Sequence, residues 1–128
     1  MKTKNTILVV EDETYLREMV IDMLHQKDYL TLEAANGKEA VDVALSKRPD
    51  LILLDILMPV MDGMTALNII RADPWGLKVP VIIMTNLSAT DQYLVKAMVT
   101  NKPKYYLIKS DWKIDDIINK IGEILNKK

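Results

Sequence analysis

Five short apolar runs punctuate this chain, and the gaps between them are filled by residues at helical spacing. The runs are ILVV (7–10), YLTLEA (29–34), LILL (51–54), VIIM (81–84) and YYLI (105–108). Leu16, Met19, Val20, Met23 and Leu24 recur on one helical face, as do Ala40, Val41, Ala44 and Leu45. Leu67 and Ile70 mark a third such stretch, and Leu94, Ala97 and Met98 a fourth. Ile114, Ile117, Ile118, Ile121 and Leu125 mark the last. Strands joined through helices do not pair as hairpins; each crossover brings the chain back parallel to the previous strand. The spacing therefore predicts an α/β fold, a parallel sheet covered by helices on both faces. Runs 1, 3 and 4 lack polar alternation, as strands buried on both faces do.

Local chemistry supports those boundaries. Asn36-Gly37 opens the second helix, and Pro49-Asp50 follows its end. Asp62-Gly63 precedes the third helix, which Pro74-Trp75-Gly76 closes. Ser88 or Thr90 can cap the fourth helix, and Ser110 or Asp111 the fifth. No repeat, low-complexity tract or linker interrupts the series, so a single domain is expected.

Composition narrows function by exclusion. Apolar residues make up 49% and charged residues 27%, the balance of a globular chain with a sizeable core. The net charge of −1, with no basic arm, gives no reason to expect direct nucleic-acid binding. The absence of cysteine removes disulfide and thiol chemistry and suits a reducing compartment. The apolar run at the N-terminus is too short for a signal peptide, and no later stretch approaches a membrane span. A cytoplasmic protein without membrane contact is expected.

Ligands of open α/β sheets bind at the carboxyl ends of the strands, where strand order reverses. Glu11 and Asp12 follow the first run, Asp55 the third, Thr85 the fourth and Lys109 the fifth. Each alone reads as a turn or helix-start residue. Together they put three carboxylates, a hydroxyl and an ammonium on one sheet edge. Converging carboxylates repel one another, and a divalent cation removes that conflict. Hard oxygen donors with room for water suit Mg²⁺, and Lys109 beside them suits a phosphoryl group.

The stretches VVEDE, LLDILMPVMDG, IMTN and YYLIK, in that order, resemble the receiver domain of two-component response regulators over essentially the whole chain. The resemblance implies a flavodoxin-like three-layer fold. Its sheet would have five parallel strands in the order 2-1-3-4-5, with five helices. Residues 1–128 would form a single receiver domain with no output domain. Asp55 would be the phosphoacceptor, served by a sensor histidine kinase or a histidine phosphotransfer protein. Glu11, Asp12 and Asp55 would hold Mg²⁺ together with the backbone carbonyl of Leu57. Lys109 would pair with one phosphoryl oxygen and the Thr85 hydroxyl with another. Thr85 and Tyr106 would be the switch residues. They would reshape the face of the fourth helix, fifth strand and fifth helix for a downstream protein target. Such a protein is not an enzyme, although it assists its own phosphorylation and dephosphorylation, and it is expected to be a monomer when unphosphorylated. The chemistry is coherent: a carboxylate is ionised at neutral pH and needs no general base, so the site must supply positioning and charge neutralisation.

The chain departs from the family pattern in places, among them Lys102-Pro103, which replaces a small pair before the fifth run. Ser110 replaces the proline that usually follows the lysine, so a trans Lys109-Ser110 bond is expected, and Asn86 replaces a small residue after the threonine. Three alternatives compete: a degenerate receiver acting as a protein-interaction scaffold, a Mg²⁺-dependent phosphohydrolase, and a flavodoxin-type cofactor module. The hydrolase resembling the haloacid dehalogenases needs a second aspartate where this chain has Leu57. A flavodoxin-type cofactor module is opposed by Glu11-Asp12-Glu13, which would repel a flavin phosphate.

Overall fold

The computed structural model describes residues 4–55, 60–85, 105–108 and 113–126, with Thr85 and 105–108 described only by their strand placement. The strands are β1 (Thr6–Val10), β2 (Leu30–Ala34), β3 (Leu51–Asp55), β4 (Val81–Thr85) and β5 (Tyr105–Ile108). The described helices are α1 (Thr14–Gln26), α2 (Gly37–Lys47), α3 (Gly63–Arg71) and α4 (Ile114–Asn126). The strands run parallel in one sheet of order β2-β1-β3-β4-β5. This is a flavodoxin-like α/β arrangement. The helical stretch expected around Leu94–Met98, its caps Ser88 and Thr90, and the candidate caps Ser110 and Asp111 lie outside the described residues. So do Asn86 and the Lys109-Ser110 bond. Among the described residues no helix is long and apolar enough to cross a membrane.

Successive side chains of a strand point to opposite faces, and that period sorts the core into two layers. Leu8, Val10, Ile52, Leu54, Val81 and Ile83 meet Ala40 and Ala44 of α2 and Met64, Leu67 and Ile70 of α3. Ile7, Val9, Leu51, Leu53, Ile82 and Met84 meet Val20, Ile21 and Leu24 of α1 and Ile117, Ile118 and Ile121 of α4. Every residue of β3 is buried, so its run of leucine and isoleucine needs no polar alternation.

The helix ends follow the expected chemistry. Asn36 caps α2, its side chain accepting from the Glu39 amide, while the Glu39 carboxylate reaches back to accept from the Ala35 amide just before the cap. Asp62 caps α3 by accepting from the Thr65 amide at 2.8 Å. The carbonyl of Lys113 starts α4, and the Asp116 carboxylate accepts from the Lys113 amide. His25 lies in the last turn of α1, where its Nε2 contacts Thr31 Oγ1 at 2.8 Å.

The crossover from α3 to β4 is tied down by one cation. Arg71 Nη1 donates to the carbonyls of Gly76 and Val79 at 2.6 and 2.7 Å, and Trp75 packs half-buried against the core beside them. Burial pushes the Arg71 guanidinium below its ordinary pKa. Gly76 has no room for a Cβ, which would strike the Ile70 carbonyl.

Candidate functional site

The sheet order makes β1 and β3 neighbours while β2 lies on the far side of β1, so the order reverses at β1. The crevice at the carboxyl ends of β1 and β3 is therefore the expected ligand position. Glu11 follows β1 directly and Asp55 is the last residue of β3. The register brings Val10 alongside Leu54, which carries the two acidic residues to the same sheet edge. Asp12 continues from Glu11 into the loop before α1.

One ligand oxygen from each of Glu11, Asp12 and Asp55 lies within 4.8 Å of the others. Glu11 is 1% exposed and Asp55 4%, whereas Asp12 is exposed. Two buried carboxylates and one open to solvent are a costly arrangement for the bare protein. They also form an all-oxygen donor set with an open side, and this fits a hard divalent cation that keeps water in its shell.

Backbone contacts fix the chain at Glu11. The Glu11 amide donates to the Ala34 carbonyl at 3.0 Å, extending the β1–β2 ladder by one residue. Glu11 Oε2 accepts from the Glu13 amide at 3.1 Å. Arg17, on the first turns of α1, donates from Nη1 to the Glu11 carbonyl at 2.6 Å and from Nε to Glu33 Oε1 at 3.0 Å. On the other side, the Met61 carbonyl accepts from the Gly37 amide at 2.9 Å. This joins the segment before α3 to the start of α2.

The remaining sequence-derived positions are placed as far as the strands describe them. Thr85 ends β4 and pairs in register with Ile108, the last residue of β5. Tyr106 pairs with Ile83. Lys109 and Leu57 lie outside the described residues. The structure thus brings together the three expected carboxylates and places Thr85 at the end of a strand of the same sheet. Sequence reasoning missed Arg17 and the Gly37–Met61 contact. Arg17 sits between core positions of an amphipathic helix and reads as a solvated cation, and Asn36-Gly37 reads only as a helix start. No spacing in the sequence signals either contact, because both join segments from different elements.

A parallel sheet of this order with buried carboxylates at its switch point defines an α/β protein built around an acidic crevice. The family model for the response regulator receiver domain matches residues 7–122. The chain belongs to that family, the phosphorylation-dependent switches of two-component signalling. It is 36% identical over 85 residues to sporulation initiation phosphotransferase F of Bacillus subtilis, covering 66% of this chain and 67% of that protein. It is 42% identical over 90 residues to a protein-glutamate methylesterase/protein-glutamine glutaminase of Caldanaerobacter subterraneus, covering 69% of this chain. The chain spans about a quarter of the length of the methylesterase relatives it matches (24%, 26% and 22%), so the activity in their name is not carried over.

Solved structures agree. The receiver domain of a signal transduction histidine kinase from Syntrophus aciditrophicus superposes with a TM-score of 0.85 at 31% identity, covering 95% of this chain and 90% of that one. The receiver domain of a sensor histidine kinase from Pseudomonas aeruginosa gives 0.83 at 29% identity, covering 94% and 97%. That structure holds a magnesium ion in its active site cleft.

Proposed function

We propose that this protein is a signalling switch that accepts a phosphoryl group on Asp55 from the phosphohistidine of a sensor kinase or phosphotransfer protein. The observation that carries the reading is the convergence of Glu11, Asp12 and Asp55 at the sheet's switch point, with Asp55 buried at the end of β3. A carboxylate oxygen of Asp55 forms the new bond to phosphorus. The phosphorus–nitrogen bond of the donor breaks, and its electron pair leaves on the imidazole nitrogen.

Glu11, Asp12 and Asp55 would hold Mg²⁺, joined by the backbone carbonyl of Leu57 on the family pattern. Bound there, the cation neutralises charge on the transferring phosphoryl oxygens. Lys109 and Thr85 are assigned to the remaining phosphoryl oxygens by the same pattern, and Thr85 and Tyr106 to the conformational response. The register pairing of Thr85 with Ile108 supports this, since it sets the chain end that leads into Lys109 beside β4. Residues 1–128 are read as one cytoplasmic receiver unit. The fourth helix expected from the sequence around Leu94–Met98 would form, with β5 and α4, the face that a downstream protein target recognises.

Incubation with acetyl phosphate, with and without Mg²⁺, tests the proposal by intact mass. One phosphoryl group should be gained only with Mg²⁺, and none by Asp55→Ala. Uptake by the Asp55→Ala variant, or uptake independent of the metal, would overturn it.

A further inference from the structure

Gly37, the first residue of α2, is buried and lies far from the acidic crevice in the chain, but the fold sets it against the segment that leads from Asp55 to α3. Its amide donates to the Met61 carbonyl. A Cβ at this position would fall on the Met61 carbonyl oxygen, lie 2.9 Å from the carbonyl carbon, and sit 3.0 Å from the Asp62 carbonyl oxygen. All three are main-chain atoms, so no side chain can swing aside to make room. The clash is one of position alone. No described glycine has a positive φ, so alanine is allowed by the backbone at residue 37 and would favour the helix.

The segment seated on Gly37 is held in an unusual path. Val60 has φ 70°, the left-handed region that a β-branched residue strongly disfavours, and the residue is 78% exposed, so its own packing does little to hold it there. One residue on, the Met61 carbonyl is fixed by the Gly37 amide. One further on, Asp62 is fixed as the cap of α3. The chain leaving the buried Asp55 is thus clamped at its far end by contacts that admit only glycine at residue 37.

We propose that Gly37 is a positioning residue for the cation site: by seating the Met61 carbonyl it fixes the point at which the chain from Asp55 enters α3, and so supports the ability of Glu11, Asp12 and Asp55 to bind Mg²⁺. The inference rests on the reading of those three residues as a Mg²⁺ site. It assigns Gly37 no contact with the metal. Residues that support metal ligands from behind commonly change affinity by about tenfold or more when altered.

The test is Mg²⁺ titration of the full chain, measured by isothermal titration calorimetry, for wild type, Gly37→Ala and Gly76→Ala. Gly76 is an internal control for damage to the fold, because its Cβ would likewise strike a main-chain carbonyl, that of Ile70, in the crossover leading into the amino end of β4. Gly37→Ala should weaken Mg²⁺ binding by about tenfold, while Gly76→Ala should lose stability but keep its affinity within about twofold. Should Gly37→Ala fail to fold, amide exchange of the wild type decides. Coupling is reciprocal, so saturating Mg²⁺ should slow exchange at the Gly37 amide more than at the Arg48 amide beyond the other end of α2. Wild-type affinity in folded Gly37→Ala overturns the inference alone, as does equal slowing at Gly37 and Arg48. A wild type that binds no Mg²⁺ overturns the site reading and the inference with it.

Discussion

The Arg17 guanidinium holds the main-chain carbonyl of Glu11 at 2.6 Å, so a helix side chain pins the loop that carries two of the three acidic residues. The same guanidinium reaches Glu33 on the edge strand β2, but that carboxylate is 55% exposed and its ion pair is partly screened by water. The two bonds should therefore differ in weight. Arg17→Met should cost about 2 kcal/mol of stability, the range for a charge-assisted bond in a sheltered place. Glu33→Gln should cost less than about 1 kcal/mol. Urea denaturation of both variants measures the difference, and equal losses would contradict this ranking.

Val60 carries a backbone strain that an exposed side chain does not offset. Val60→Asn should raise stability by about 1 kcal/mol, because asparagine tolerates the left-handed region and little buried surface is lost. For a domain of this size the melting temperature should rise by roughly 3 to 6 °C. A fall in melting temperature would show that valine is favoured there for another reason.

Crowding at the acidic crevice should be visible in stability as well as in phosphoryl uptake. Asp55→Asn removes one buried charge from the cluster and should stabilise the protein in a chelator. Mg²⁺ at a hundredfold excess over its dissociation constant should stabilise the wild type by about 2.7 kcal/mol, and the variant by much less. Thermal unfolding with Mg²⁺ and with chelator checks both halves.

Tyr29 gives an alkaline dependence with a definite sign. Burial raises its phenol pKa above the ordinary value of 10.0, because the phenolate is disfavoured in the partly buried site beside α4. The folded state therefore keeps its proton over a range in which the unfolded state has lost it. This contribution to stability is complete below pH 10.0 and falls as pH rises from there through the folded-state pKa. Tyr29→Phe should show a smaller loss over that window in urea titrations at successive pH values. Identical curves for the two proteins would rule the effect out.

Much of this was legible in the residues. LILLD could be read as a buried strand ending on a carboxylate, because a lone charge in an apolar run is costly unless something receives it. The structure puts Asp55 at the last position of that strand, buried. The caps Asn36 and Asp62 were legible for a similar reason, since a short polar side chain before a helical stretch satisfies amides of the turn that follows it. The burial of Glu11 beside an exposed Asp12 was not legible. The two are chain neighbours of the same charge, and only packing against β2 and Arg17 separates them.

Sequence alone determined the alternation of strand and helix, the two-sided burial of the central strands, and the set of acidic residues placed at strand ends. These follow from periodicity, which is local: a strand repeats every two residues and a helix every 3.6, whatever surrounds them. Tertiary structure alone decided that Glu11 is buried while Asp12 stays open to solvent, that Arg17 turns inward to a carbonyl, and that Gly37 must lack a side chain because Met61 lies where it would stand. Those contacts join residues distant in sequence, and their geometry is set by strand order and close packing rather than by any repeat along the chain.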